Sequence, residues 1–156
     1  MMNSSVIAIV DGLRTNKTLN CLNLSKNCYG SQSGRAAIEV LMGYNALREL
    51  ILADTPESVG ASILANGLSD NHSLEKFNLE NAFVDDEGSE TFRALCESLH
   101  GNTTLRYLAS GTNFLRLNGV CAKALKLHTM SLVKLDLDSN DVTSCGIAAL
   151  AQGLQG

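Results

Sequence analysis

Leu132-Val-Lys-Leu-Asp-Leu-Asp-Ser-Asn140 decides how this chain is read. It follows the frame L-x-x-L-x-L-x-x-N. The same frame starts at Leu19, Leu47, Leu74 and Leu105, so the five copies are separated by 28, 27, 31 and 27 residues. A period of this size marks a solenoid, in which each unit is too small to bury its apolar face alone and stacking creates the core.

The copies show where each unit puts its side chains. In the quoted stretch Leu135 and Leu137 alternate with Lys134, Asp136 and Asp138, the period-two pattern of a strand with one buried face. A glycine follows each frame at a similar distance: Gly34, Gly60, Gly88, Gly119 and Gly146. Helical patterns come next. Phe92, Leu95 and Leu99 fall on one helical face, Ile147, Leu150 and Leu154 repeat the spacing, and Val6, Ile9, Val10 and Leu13 form a related stripe. Polar turns around Asn16, Asn71 and Asn102 close the helices. These asparagines lie in N-x-S/T sequons, as does Asn3, and a turn-supporting role is expected of the first three. Strand, turn, returning helix and next strand make a parallel unit.

This pattern resembles the leucine-rich repeat family, in its long, helix-bearing subtype found in ribonuclease inhibitor, Ran GTPase-activating proteins and the repeats of NOD-like receptors. The resemblance covers essentially the whole chain. It implies an α/β leucine-rich-repeat solenoid of about five repeats, a horseshoe arc with a parallel sheet on the concave face and helices on the convex face. Residues 1–156 then form one domain, expected to be an incomplete array because no polar capping module follows Gly156. The family's motif asparagine, whose amide bonds backbone groups of neighbouring turns, matches Asn27, Asn113 and Asn140. Thr55 and Ala82 replace it in the second and third copies, so the third loop is expected to be irregular, with Asn81 as a substitute donor. Ser110 stands where the fourth copy should have leucine, beside Gly111. The helix over 120–127 is short, so these layers are expected to pack least well.

Composition excludes several classes. Apolar residues make up 45% and charged residues 18%, which is a globular balance. The net charge of −4 and the lack of a basic cluster argue against a nucleic-acid surface. No apolar run approaches the ~20 residues of a membrane span, and no signal peptide is visible. Five cysteines without C-x-x-C spacing read as reduced thiols in a cytoplasmic protein. Of these, Cys21 sits at an outward strand position and Cys28 in a turn.

No catalytic, cofactor or metal constellation is visible: neither a phosphate-binding glycine loop, nor H-E-x-x-H, nor G-x-S-x-G occurs. His72, His100 and His128 occupy different registers and read as exposed turn residues. Asp85-Asp86-Glu87 precedes Gly88, where carboxylates complement a helix dipole.

What remains is the outward strand face. Its candidate protein-binding residues are Glu49, Ile51, Lys76, Asn78, Glu80, Tyr107, Lys134, Asp136 and Asp138, with Tyr107 and Ile51 as possible anchors. Acids outnumber bases there, which favours a protein partner carrying a basic patch. The expected function is a non-enzymatic protein-interaction module acting through the concave sheet and its loops. The resemblance leaves two alternatives open: activation of a Ran-like small GTPase, and a repeat fragment of an intracellular NOD-like receptor.

Overall fold

A computed structural model describes residues 8, 11–13, 15–27, 43–44, 46–55, 67–82, 88–113, 115 and 131–155, with the backbone alone for 88–91. The strands are β1 (Cys21–Asn23), β2 (Glu49–Ile51), β3 (Lys76–Asn78), β4 (Tyr107–Ala109) and β5 (Lys134–Asp136). Each begins two residues after its frame leucine, so the frame sets strand position directly. They form one parallel sheet in sequence order. Cys21, Glu49, Lys76, Tyr107 and Lys134 make one register row, and Asn23, Ile51, Asn78, Ala109 and Asp136 another. Backbone pairing continues past the strands in every copy. Leu24, Leu52, Leu79 and Ser110 donate to Ile51, Asn78, Ala109 and Asp136, at 2.8–2.9 Å.

The inward side chains of the three central strands, Leu50, Phe77 and Leu108, are fully buried, while Leu22 and Leu135 on the edge strands are partly covered. Each fully buried leucine or phenylalanine contributes on the order of 2 kcal/mol. Helix α1 (Gly88–Ser98) presents Phe92, Leu95 and, just past its end, Leu99 to this core, as their spacing predicts.

Helix α2 (Ser144–Gln155) does not follow its predicted stripe. Ile147 and Leu154 are 60% and 67% exposed, and the buried residues are Gly146 and Ala149, with Leu150 partly covered. The helix turns these small residues inward. The stripe of Val6, Ile9 and Val10, the glycines Gly34, Gly60 and Gly119, the helix over 120–127, Cys28, His128 and the Asp85–Glu87 run lie outside the described residues.

The eighth frame position is left-handed in all five copies: Lys26, Asp54, Asn81, Thr112 and Ser139 have φ between 49° and 60°. The chain leaves the sheet here, and the turn demands this conformation although no copy supplies glycine. Asn81 therefore does not shift inward, and the third copy is regular through Ala82. Its side chain instead donates to Asp54 Oδ1 at 2.9 Å.

The asparagine amides explain how the third copy tolerates Ala82. Asn140 Nδ2 donates to Ser110 O, and Asn113 Nδ2 donates to Leu79 O, so each amide serves the copy before it. Asn113 Oδ1 also accepts the N–H of buried Ala82 at 2.8 Å. Ala82 itself cannot reach back to Leu52 O, the next group in this series. The Thr55 hydroxyl donates to that carbonyl from within its own copy, at 2.8 Å. Ser110 is also absorbed: it is fully buried and its hydroxyl accepts from Asn113 Nδ2 at 3.2 Å.

A second asparagine series holds the helix-to-strand turns, as expected of Asn16, Asn71 and Asn102. Each Oδ1 accepts the N–H groups two and three residues on. Buried Asn102 also donates to Leu68 O and Asn71 O of the preceding copy, both at 2.9 Å.

Candidate functional site: the outward face of the sheet

Parallel register brings the expected outward side chains into adjacent rows. On the first, Lys76 pairs with Glu49 at 3.3 Å. Lys134 lies 4.8 Å from the Tyr107 ring centroid, and its Nζ donates to the Tyr107 hydroxyl at 3.2 Å. Asp136 is 3.7 Å from the same ammonium. The Tyr107 hydrogen bond, assisted by Asp136, raises the pKa of Lys134 above its usual 10.5. Tyr107 is thus engaged by a cation of its own chain.

On the second row, Asn78 and Asp136 do local work. Asn78 Oδ1 accepts the Glu80 N–H at 2.8 Å, and Asp136 Oδ1 accepts the Asp138 N–H at 3.2 Å. Asn23 makes the same bond to Ser25. These side chains end the strand by folding back on it, which leaves them less free to serve a partner than their outward position suggests. Ile51 is half-buried and Ala109 buried. In the third row Ser25 and Ala53 are half-buried and Gly111 is buried, so Glu80 and Asp138 stand out from it. At Gly111 an added Cβ would lie 3.2 Å from Asp138 O, which keeps this row close-packed.

A depression of about 280 Å³ opens between the first two rows, lined by Glu49, Leu50, Ile51, Lys76, Phe77, Asn78 and Tyr107. Five of these residues were expected at the face from sequence; Leu50 and Phe77, whose side chains are fully buried on the other side of the sheet, border it through their backbone. Glu80, Lys134, Asp136 and Asp138 lie around it rather than in its wall.

Sequence reasoning missed the rim at the start of the strands. Arg48, Glu75 and Arg106 occupy the second frame position and are exposed. Arg48 sits 3.6 Å from Glu75 and donates to Ser73 O, and Arg106 makes the equivalent bond to Ser131 O, both at 3.2 Å. The signal was present in the frame, because this position is polar in every copy except at Val133.

Cys21 and Cys145 are exposed thiols, and Cys96 is buried. His72 and His100 are exposed, as expected. Among the described residues no three His, Cys, Asp or Glu side chains gather in a way that could hold a metal ion. No described helix is long and apolar enough to cross a membrane.

Comparison with known proteins adds two findings. No protein-family model matches the chain. In sequence it is 30% identical over 149 residues to mouse "NACHT, LRR and PYD domains-containing protein 14", and 31% identical over 152 residues to human "NACHT, LRR and PYD domains-containing protein 13". Each match covers 93% of this chain, which spans only 15% and 14% of those relatives. In structure it matches the tropomodulin C-terminal domain of Caenorhabditis elegans, with a TM-score of 0.72, 17% identity and coverage of 96% of this chain and 91% of that one. It also matches leiomodin-1 actin-binding site 2, with a TM-score of 0.63, 14% identity and coverage of 99% and 88%.

These structural likenesses correct the expected leucine-rich-repeat solenoid with its ribonuclease-inhibitor horseshoe arc. The fold is an α/β arrangement around a five-stranded parallel sheet, of the kind seen in the tropomodulin and leiomodin structures. The physical reason is that a repeat frame specifies what each unit pairs with. The small rotation between units, which sets curvature, comes from how whole layers pack. By sequence the chain is similar to a leucine-rich-repeat-containing region of the NACHT, LRR and PYD proteins, and by fold to the tropomodulin and leiomodin domains.

Proposed function

We propose that this chain is a non-enzymatic protein-interaction module that binds a protein partner across the outward face of its sheet. The observation that carries the reading is the depression between Ile51 and Tyr107, set in a field of charged side chains that the register holds in rows. A half-buried aromatic ring in a polar surround is a common anchor in protein interfaces. The surplus of acids favours a partner with a basic patch, and the exposed thiols fit a cytoplasmic setting. The test is a Tyr107→Ala, Glu80→Lys double variant with unchanged circular dichroism. It should lose the partners that the unmodified chain captures after chemical crosslinking. Retention of all of them would refute the face as the binding surface.

A second reading is favoured by the sequence likeness: the chain serves as a repeat region within a longer protein related to the NACHT, LRR and PYD proteins. Sequencing the full transcript tests it. A nucleotide-binding module encoded in the same reading frame would support it, and its absence from the complete transcript would reject it.

A further inference from the structure

Charge is sorted along the strands. Their N-terminal ends carry Arg48, Lys76, Arg106 and Lys134, and the two acids there are paired: Glu75 with Arg48 and Glu49 with Lys76. Their C-terminal ends carry Asp54, Glu80, Asp136 and Asp138. Asp136 meets a cation only because Lys134 is beside it on the same strand. Among the described residues no ion pair reaches Asp54, Glu80 or Asp138, and Lys26 is the single base on that rim. The depression opens between Ile51 and Tyr107, with Glu49 and Lys76 of the basic rim in its wall.

Resting on the reading of this face as a protein-binding surface, we infer that it takes its partner in one polarity. The occupant is an extended segment with one large apolar or aromatic side chain in the Ile51–Tyr107 depression and Lys or Arg over Glu80 and Asp138. Charge complementarity carries the assignment. The basic rim already neutralises its own acids, whereas the acidic rim leaves charges for a partner to meet. Glu80 lies one row beyond the depression on β3, and Asp138 lies in the same row two strands away on β5. At ~3.3 Å per extended residue, the basic side chains fall about two to four positions from the anchor.

The chain contains no tryptophan, so the fluorescence of a peptide tryptophan reports binding directly. Three capped Gly/Ser peptides serve as probes, each with one tryptophan and with arginine, glutamate or serine at the second and fourth positions after it. The arginine peptide should bind about tenfold more tightly than the serine peptide, as expected for two exposed ion pairs. The preference should fade as salt is raised. Glu80→Lys with Asp138→Lys should reverse the ranking in favour of the glutamate peptide. The near-isosteric pair Glu80→Gln and Asp138→Asn should level it. Equal binding of the arginine and glutamate peptides, a ranking unchanged by the charge swap, or no binding of any peptide overturns the inference. Tyr107→Ala separates the two claims. If it weakens all three peptides while their ranking is flat, the face stands and the polarity fails. If the arginine preference persists at full affinity without the ring, the face itself fails.

Discussion

Replacing Asn102 with alanine tests how neighbouring units are held together. Its side chain is 2% exposed and makes four bonds to backbone. Oδ1 accepts from the Thr104 and Leu105 N–H groups at 3.0 and 2.8 Å, and Nδ2 donates to Leu68 O and Asn71 O at 2.9 Å. Truncation leaves these buried groups without their partner. A bond of this kind is worth about 1 kcal/mol net, and more where water cannot replace the lost group. The loss is therefore about 4 kcal/mol, a large share of the 5–15 kcal/mol typical of a domain. Asn16 provides the control. Its Oδ1 accepts the same pair of N–H groups, from Thr18 and Leu19 at 2.9 Å, but the turn is exposed. Water can take over there, so Asn16→Ala should cost less than about 1 kcal/mol. Urea unfolding followed by circular dichroism measures both. With a slope of about 2 kcal/mol per molar, Asn102→Ala should lower the midpoint by about 2 M and Asn16→Ala by less than about half a molar. Equal shifts would show that the inter-unit donations of Asn102 do not carry the stability assigned to them.

Three further outcomes follow from the same geometry. Thr55→Val removes the donor to Leu52 O and should cost about 1–2 kcal/mol by thermal unfolding; the cost should shrink in an Ala82→Asn background, and a purely additive double variant would refute the compensation. Thr112 is a β-branched residue at φ 55°, so Thr112→Gly should stabilise by about 1 kcal/mol despite its greater chain entropy, and any loss of stability would count against strain at that turn. The pKa of Lys134 is raised in the fold, so its stabilising contact is complete below the unfolded value near 10.5 and is lost as pH climbs through the higher folded value. Tyr107→Phe should move the Lys134 titration downward when followed by NMR, and an unmoved titration would remove the hydroxyl as its main cause.

The frame leucines made the strands legible because each side chain has one role. Leu50 and Leu108 are fully buried where alternation places them, and the strands start at the same frame position in every copy. The outward residues were legible for the same reason. Ile147 and Leu154 were misread because helical spacing alone does not say which of two neighbouring stripes faces the core; the structure buries Gly146 and Ala149 instead. Ala82 was misread because its loss is covered from other positions, by Asn113 of the next copy and Thr55 of the previous one. No single copy contains that information.

The chain by itself determined the repeating unit, the parallel order of its strands and the identity of the outward face, since these follow from short-range alternation and from a period repeated five times. Only the tertiary structure decided the rest. It replaced the expected horseshoe with a sheet arrangement like those of tropomodulin and leiomodin. It made Asn78 and Asp136 strand-ending acceptors, brought Lys134 onto Tyr107, and sorted charge between the two rims. Each of these depends on distances between units, which the stacking of layers sets.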